Sequence, residues 1–442
     1  MTPQEVVELL HRTGCVVAVV SVSVAKAQET QTLAPVVVTG RSANLVGVAD
    51  SATEGTISAR QLATRPLLRP AEVLESVPGL TVTQHPGDGK ANQYFLCGFN
   101  LEHGSDFRIP RVGLFNMVRR VRTDTVRLDQ LTETAIGLYG ETRTQWLAWF
   151  RSTLGLRFDQ LRATVSPLDG PFNAANGGSA RGSQASPKVA LAFGPFSGTE
   201  FYANWGTGFH SNDSRGVTST VNPNDASVVD KLPALSKATT AELGLRATPL
   251  PGWNTALSVW KTQLDSELVF VGDAGVTQAQ GSSRRHGIEL ANDYALNDWL
   301  IVDADLAVSK SRFTQPSNGG THVPNAIPLS ASVVISADQQ GAWFGGLRMR
   351  YIGAYPLEET GAQKSAPHLT ASLKLGYRFT PKLRVSLDVL NLFDRRANDI
   401  EYWGSSCTRA EGPACNGGNG FDGRLVHPLE PRTFRVSVRA SF

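Results

Sequence analysis

Long segments that alternate strictly between apolar and polar residues constrain the fold of this chain more than any other feature. From Leu369 to Phe379, apolar or aromatic residues occupy every odd position, and Thr, Ser, Lys, Gly and Arg occupy the even ones. The same period of two recurs in residues 241–247, 300–308 and 343–351. This is the period of a β-strand with one apolar and one polar face. The sequence therefore predicts an all-β fold from about residue 124 onward.

The length of these strands and the pattern of their connections narrow the prediction. Strands of about ten residues exceed those of most globular sheets and match a tilted strand that crosses a bilayer. Short turns at 247–253, 296–298, 338–341 and 379–382 alternate with long polar loops at 166–186, 210–237, 313–325, 354–367 and 394–431. Outer-membrane barrels have short periplasmic turns and longer external loops. The pattern favours an antiparallel transmembrane β-barrel, with a soluble β-sandwich or propeller as the alternative.

Composition and motifs exclude several other classes of protein. The longest apolar stretch, residues 15–24, is too short to span a bilayer as a helix. A formal net charge of +3 without a basic stripe argues against nucleic-acid binding. The eight histidines are scattered and adjoin no nucleophile motif, phosphate loop or metal-ligand cluster. We therefore expect neither an enzyme nor a bound cofactor or metal.

The first residues predict export. An apolar segment ends on Ala25-Lys26-Ala27, which has the small-x-small pattern of a signal-peptide cleavage site before Gln28. Glu5 and Glu8 make the leading region acidic where a basic one is usual, and a misassigned start would explain this. Residues 1–27 are therefore expected to be a signal peptide.

Two further features agree with export to the outer membrane. In the last strand, one face carries Phe434, Val436, Val438 and Phe442, and bacterial outer-membrane barrels typically finish on such a terminal aromatic residue. Cys407 and Cys415 lie in a long external loop, where exported proteins form disulfides. We expect this pair to be a disulfide and not a metal site, because no histidine pair lies nearby.

Several segments, in this order, resemble TonB-dependent receptors of the Gram-negative outer membrane. They are "APVVVTG" (34–40), "RPAEVLESVPGLTV" (69–82), "GKANQYFLCGFNLEHGSDF" (89–107), "SSRRHGIEL" (282–290), "LDVLNLFDRR" (387–396) and "EPRTFRVSVRASF" (430–442). The resemblance implies a TonB box and linker at 28–41, a partial plug domain at 42–107 and a transmembrane barrel at 108–442. It also implies an outer-membrane location and the barrel assembly machinery and outer-membrane lipid as partners.

The resemblance assigns a role to the valine-rich segment near the start. Its residues are Ala34, Pro35, Val36, Val37, Val38, Thr39 and Gly40. An extended segment with free backbone groups can add itself as an edge strand to a partner's sheet. In this family the partner is TonB, which couples inner-membrane energy to movement of the plug. The alternative is a disordered leader that merely contains valines.

The chain departs from the family in its length. A complete receptor has a plug and about 22 barrel strands. Thirteen strands are predicted here, near residues 124–139, 145–165, 187–194, 199–209, 238–248, 253–265, 284–295, 299–313, 325–338, 342–354, 367–379, 382–394 and 432–442, and strand parity makes residues 110–121 a fourteenth. The second half of the plug and the first barrel strands are therefore expected to be missing. An active transporter, an inactive or passive barrel remnant and a soluble surface-binding β protein remain alternatives.

A small-molecule ligand is expected at the outer apex of the plug, and a ferric siderophore is the commonest choice in the family. The candidate contacts are Gln93, Tyr94, Asn100, His103 and Asp106. The alternative is that these side chains hydrogen-bond turns within the plug. Cys97 stands where the resemblance leads us to expect arginine, and no function is assigned to it.

Overall fold

The computed structural model describes residues 44–84, 92–96, 99–100, 111–118, 121–271, 276–407, 415 and 420–440. Strands dominate these residues, as the alternating pattern predicts. Within the same ranges, every helix is too short or too polar to cross a membrane.

The first described segment forms a small plug with little regular structure. It contains helix α1 (Ala59–Thr64), a 3-10 helix (Pro70–Ser76) and a sheet of strands β1 (Leu80–Gln84), β2 (Asn92–Leu96) and β3 (Phe99–Asn100). Helix α1 starts at a capping box, in which Ser58 accepts from the backbone of Gln61 and the Gln61 side chain accepts from the backbone of Ser58. Pro70 opens the 3-10 helix, where its missing N–H costs nothing.

The rest of the chain is almost entirely strand. In chain order the strands are β4 (Arg111–Val118), β5 (Val121–Leu147), β6 (Phe150–Asp169), β7 (Gly178–Phe196), β8 (Thr199–Ser211), β9 (Leu235–Leu250), β10 (Trp253–Leu264), β11 (Glu267–Val271), β12 (Val276–Gln280), β13 (Ser283–Ala295), β14 (Leu300–Ser317), β15 (Gly320–His322), β16 (Leu329–Gln340), β17 (Trp343–Ile352), β18 (His368–Thr380), β19 (Leu383–Leu390), β20 (Asn398–Ser406), β21 (Phe421–Pro428) and β22 (Thr433–Ala440). A 3-10 helix (Asn173–Asn176) and helix α2 (Ser214–Thr218) lie in the connections.

Fourteen of these strands follow one another in one antiparallel sheet, in the order β22-β19-β18-β17-β16-β14-β13-β10-β9-β8-β7-β6-β5-β4, and the short β15 pairs with β14 beside them. The count agrees with the fourteen strands predicted from the sequence. The hairpins β11–β12 and β20–β21 extend from the end of the sheet that carries the long connections.

The two faces of this sheet differ as the alternation predicts. Large apolar side chains on the outer face are exposed, among them Leu243, Leu375 and Val436. On the opposite face, Arg246, Asp303 and Arg348 are buried against the plug. The apolar face is therefore the surface for lipid, and the polar face surrounds the plug.

Aromatic side chains gather at the end of the sheet with the short turns. The contacts are Trp149 with Phe196, Trp253 with Tyr294, and Trp343 with Tyr377, which also meets Phe379. Gly252 and Gly341 allow two of these turns, because their φ angles of 79° and 69° suit glycine. Such a girdle marks a membrane interface of an outer-membrane barrel.

Several boundaries differ from the sequence prediction. The predicted loops at 313–325 and 394–431 contain strands β15, β20 and β21, and two strands near the start of the sheet are longer than expected. The first long hairpin turns at residues 148–149 and not near 140–144, since β5 continues to Leu147. The predicted loop at 166–186 is mostly strand, because β6 runs to Asp169 and β7 starts at Gly178. In both stretches the strand is polar or small on both faces, so that the apolar alternation on which the prediction depends is absent.

Candidate functional site: the plug against the barrel wall

A network of six charged residues fixes the 3-10 helix of the plug to the barrel wall. Arg348 on β17 donates to Glu72 at 2.7 Å and also to Glu75. The other pairs are Arg350 with Glu75 at 3.0 Å and Arg69 with Asp399 at 2.7 Å. The network has three positive and three negative side chains, so burial leaves no net charge uncompensated.

A second contact joins helix α1 to the neighbouring strands β13 and β14 of the wall. The Gln61 amide donates to Asp303 at 2.9 Å and also to Asp293, and Arg65 lies 3.5 Å from Asp303. Burial lowers the pKa of the Arg65 guanidinium, and the charge of Asp303 acts in the opposite direction. Because Gln61 is almost fully buried, its amide depends on these carboxylates for hydrogen bonds.

The first described residues of the plug form a third contact. The Gly47 N–H donates to Glu200 on β8 at 2.8 Å. Arg151 on β6 pairs with the same carboxylate and donates to the Ala49 carbonyl. Arg246 on β9 donates to the Ala52 carbonyl at 3.0 Å. The segment is thus held through its backbone by charged side chains of the wall.

A cavity lies between this segment and strands β9, β10, β13 and β14. Glu289, Asp293, Asp303 and Asp305 line it on the wall side, and Arg65 lines it on the plug side. In the part of the chain that the structure describes, no group of three His, Cys, Asp or Glu side chains is arranged to hold a metal ion. The lining of the cavity is therefore mainly acidic, with Arg65 and Arg246 as its basic side chains.

The apex of the plug packs beneath the external hairpin β20–β21. The Tyr402 hydroxyl donates to the side-chain amide oxygen Oε1 of Gln93 at 2.6 Å. An apolar cluster surrounds this bond and comprises Phe95, Ile327, Ile352, Tyr355, Leu357, Ile400 and Tyr402. Burial raises the pKa of the Tyr355 phenol, whose oxygen accepts from the Glu401 backbone. The plug apex is covered by external loops in this conformation.

Replacing Tyr402 by phenylalanine should loosen the hairpin from the plug. The change leaves the side-chain Oε1 of Gln93 buried without its donor, which costs about 1–3 kcal/mol. We expect faster hydrogen exchange at the Gln93 and Tyr94 amides, with no change for the paired amides of β17. Tyr351→Phe on β17 serves as the control. Unchanged exchange at both plug amides would show that the hydroxyl does not hold the apex.

A disulfide ties the tip of the same hairpin. It joins Cys407 and Cys415, whose Cα atoms lie 6.0 Å apart. The two residues are those that the sequence indicates for such a bond.

Reducing this disulfide should free the hairpin tip without unfolding the sheet. A cross-link over so short a loop contributes about 2–3 kcal/mol on the chain-entropy model. We expect limited proteolysis to cut residues 407–420 faster after reduction, or in a variant with Cys407→Ser and Cys415→Ser. Equal cleavage rates with and without reductant would contradict this expectation.

The other sequence-predicted site residues occupy different positions. The valine-rich segment Ala34–Gly40, Cys97, His103, Asp106 and Phe442 lie outside the described residues. Asn100 lies in β3, Tyr94 is half-buried, and Gln93 is fully buried. The outward residues Phe434, Val436 and Val438 of β22 are exposed.

The sequence does not mark the charged residues that hold the plug as functional. Glu72 and Glu75 lie within the segment 69–82 without a role of their own. Arg348 and Arg350 belong only to the polar face of the alternating segment 343–351. The sequence nevertheless contains an indication of these contacts, because two arginines on the lumen face of one strand need carboxylate partners when they are buried.

A curved antiparallel sheet with an apolar exterior, a polar interior and a plug held inside by ion pairs defines a plugged outer-membrane barrel. A family model described as TonB dependent receptor-like, beta-barrel matches residues 77–392. The match spans well over half of the chain, and the protein belongs to this family of outer-membrane receptors. No curated protein sequence matches the chain at a significant level.

Solved structures show the same fold. The ferric yersiniabactin uptake receptor FyuA from Yersinia pestis has 16% identity and a TM-score of 0.59, over 75% of this chain and 49% of that one. The ferric-catecholate import receptor Fiu from E. coli K12 has 17% identity and a TM-score of 0.56, over 74% and 47%. The copper transporter OprC has 22% identity and a TM-score of 0.55, over 75% and 51%. The chain spans about half the length of these proteins.

Proposed function

We propose that the protein is an outer-membrane receptor that takes up a ferric siderophore or similar metal chelate, with energy supplied through TonB. The observation that carries the proposal is the plug held in the lumen by the six-residue network and the Glu200 contact. These contacts are polar and reversible, so a pull on the plug can break them while the strand ladders of the wall remain intact.

The ligand class rests on the apex of the plug and on the similar structures. The names of the solved structures refer to ferric chelates and copper. In this chain, the Nε2 atom of Gln93 is buried and makes no hydrogen bond to any described residue. It could donate to a chelate oxygen once Tyr402 withdraws. Tyr94, Asn100, His103 and Asp106 remain proposed ligand contacts.

The coupling to TonB rests on the valine-rich segment, residues 34–40. The segment lies only a few residues before Gly47, the first described residue with a hydrogen bond to the wall. TonB would pair with its backbone as an added strand. A pull on the segment would then load the Glu200 and Arg151 contacts first. The last strand, with Phe434, Val436, Val438 and Phe442, is the proposed signal for the barrel assembly machinery.

Replacing Val37 by proline should abolish energised uptake. Proline lacks the backbone donor that an added strand needs and restricts the neighbouring backbone. In receptor-deficient cells that express this variant, we expect the uptake of ferric chelates to fall to the level of cells without TonB. The affinity of the variant for the periplasmic domain of TonB should fall at least tenfold.

Val37→Ile is the matched control for this variant, since it keeps the strand-forming character of the segment. Uptake by the proline variant equal to that of the unchanged protein would contradict the proposed coupling.

The principal sheet ends on strands with a single neighbour, which favours a second candidate, a passive barrel remnant. Chelate binding without TonB-dependent uptake by the unchanged protein would support the remnant.

A further inference from the structure

The outer face of four neighbouring strands changes from apolar to basic within one row of side chains. On β9, β10, β13 and β14, four apolar residues lie in register and form a single row: Leu243, Val259, Ile288 and Val308. Their exposed fractions run from 45% to 66%, so the row belongs to the lipid-facing surface. Residues two positions farther along each strand share this face. The rows that follow, away from the short turns, are therefore also outward.

These following rows are rich in lysine and arginine. The first consists of Ala241, Lys261, His286 and Lys310, and the second of Thr239, Gln263, Arg284 and Arg312. Lys237 continues the same face two positions beyond Thr239 on β9. Arg312 is half-buried, and the other four lysines and arginines of this face are exposed. The five cationic residues form a basic patch: Lys237, Lys261, Arg284, Lys310 and Arg312.

The basic patch lies at the external boundary of the apolar belt. At the other boundary of the same strands, Trp253 and Tyr294 belong to the aromatic girdle beside the short turns. Trp253 and Lys261 are separated by about 27 Å of strand β10. At a strand tilt of about 40° this length covers roughly 20 Å of membrane height, close to the apolar band of about 25 Å in such barrels. The patch therefore lies at the level of the lipid headgroups, on the side with the long connections.

The charge of the patch is not balanced by the chain. The outward positions of the four strands carry no carboxylate, and the exposed Asp265 directly after β10 is a single acid beside five cations. Arg284 and Arg312 face each other across the β13–β14 ladder, where like charges are unfavourable. The Arg312 guanidinium donates to the Ser311 carbonyl at 2.9 Å. In the part of the chain that the structure describes, none of the five cations forms an ion pair.

Inward cations of the same strands are arranged differently. Arg285 follows Arg284 on β13 but points to the interior, where it is almost fully buried and pairs with Glu267 at 2.6 Å. Arg246 on β9 donates to the Ala52 carbonyl of the plug. The chain thus supplies partners for its inward arginines. For the outward cations the anion has to come from the surroundings.

We infer that the basic patch binds the phosphate groups of an anionic glycolipid in the outer leaflet of the membrane. Lysine and arginine form strong charge-assisted hydrogen bonds with phosphate oxygens. With strands about 4.8 Å apart, the patch is roughly 10 Å wide from β10 to β14, which allows contact with more than one phosphate of a headgroup. The apolar row borders the patch directly, so one lipid can place its acyl chains on Val259 and Val308 and its phosphates on Lys261 and Lys310. This continuity favours a lipid over free phosphate.

Binding of labelled lipopolysaccharide to the detergent-solubilised full chain tests the inference. The patch variant combines Lys261→Gln, Arg284→Gln and Lys310→Gln. We expect its affinity for lipopolysaccharide to be at least tenfold lower than that of the unchanged protein. The unchanged protein should bind dephosphorylated lipopolysaccharide at least tenfold more weakly than the phosphorylated form. A hundredfold excess of inorganic phosphate should leave the lipid bound.

Two control variants separate the patch from general effects of charge. The first combines Lys231→Gln, Lys364→Gln and Lys382→Gln, which removes the same number of charges from exposed lysines outside the patch. The second combines Lys261→Arg, Arg284→Lys and Lys310→Arg, which keeps the charge of the patch. Both should bind lipopolysaccharide within about twofold of the unchanged protein.

Several outcomes would overturn the inference. They are equal binding by the patch variant, an equal loss in the first control, and displacement of the lipid by inorganic phosphate. Equal binding of dephosphorylated lipopolysaccharide by the unchanged protein would do the same, and this measurement does not depend on the folding of any variant. Lipid binding is measured without uptake, so this inference and the proposed TonB coupling can fail separately.

Discussion

Replacing Arg348 by alanine should release the plug from the barrel wall. The variant removes the arginine that pairs with Glu72 and leaves the buried Glu75 carboxylate with only Arg350. Removing one partner from a buried ion pair typically costs about 3–5 kcal/mol, because the remaining charge stays desolvated. We expect trypsin to cut the plug in detergent-solubilised protein at a rate higher by roughly two orders of magnitude.

Two further variants test whether the plug is released by the loss of its ion pairs or by a general disruption of the fold. Arg432→Ala removes an exposed arginine whose side chain lies outside the network, and it should leave plug cleavage unchanged. Adding Glu72→Gln and Glu75→Gln to the Arg348 variant removes the unpaired charges and should restore part of the protection. If the triple variant were cut as fast as Arg348→Ala, the unpaired charges would not be the cause of release.

The sequence predicts the strands of the barrel wall better than the contacts of the plug. Strands such as β18 can be predicted from their alternating residues, because successive side chains face lipid and the water-filled interior in turn. In residues 140–145 of β5 the inward Glu141 and Arg143 bind Lys188 and the plug, while the outward Thr142 and Thr144 are also polar. Both faces are thus polar, and the strand gives no periodic signal.

The plug contacts could not be predicted for a different reason. Arg348 and Glu72 lie 276 positions apart, and which polar residue of a lumen face meets which plug residue depends on the register of the whole sheet. Cys407 and Cys415 lie only eight positions apart, so their pairing could be predicted from the loop alone. Contacts between residues that are close in the sequence can therefore be predicted from it, whereas contacts between distant residues can be identified only once the fold is known.

Replacing Glu200 by alanine should detach the first described segment of the plug while the six-residue network remains intact. Glu200 is fully buried and accepts from Gly47, Arg151 and Tyr202. Its loss leaves the Arg151 guanidinium buried with only the Ala49 carbonyl, at a cost of about 3–5 kcal/mol. We expect the protection of the Gly47 amide against hydrogen exchange to fall by at least a hundredfold.

The comparison with Arg348→Ala shows whether the plug is released in one step or in two. In Glu200→Ala the amides of the plug strand β1 should keep their protection, since the Glu75 side chain still accepts from Val82 and pairs with Arg348 and Arg350. Glu200→Gln, which keeps an acceptor for Gly47, should lose less protection than alanine. Simultaneous loss of protection at Gly47 and Val82 in Glu200→Ala would instead show that the plug leaves the wall as one unit. A pull applied upstream of Gly47 would in that case have to break every contact together, whereas two separable contacts allow the pull to extract the segment first and leave the apex in place.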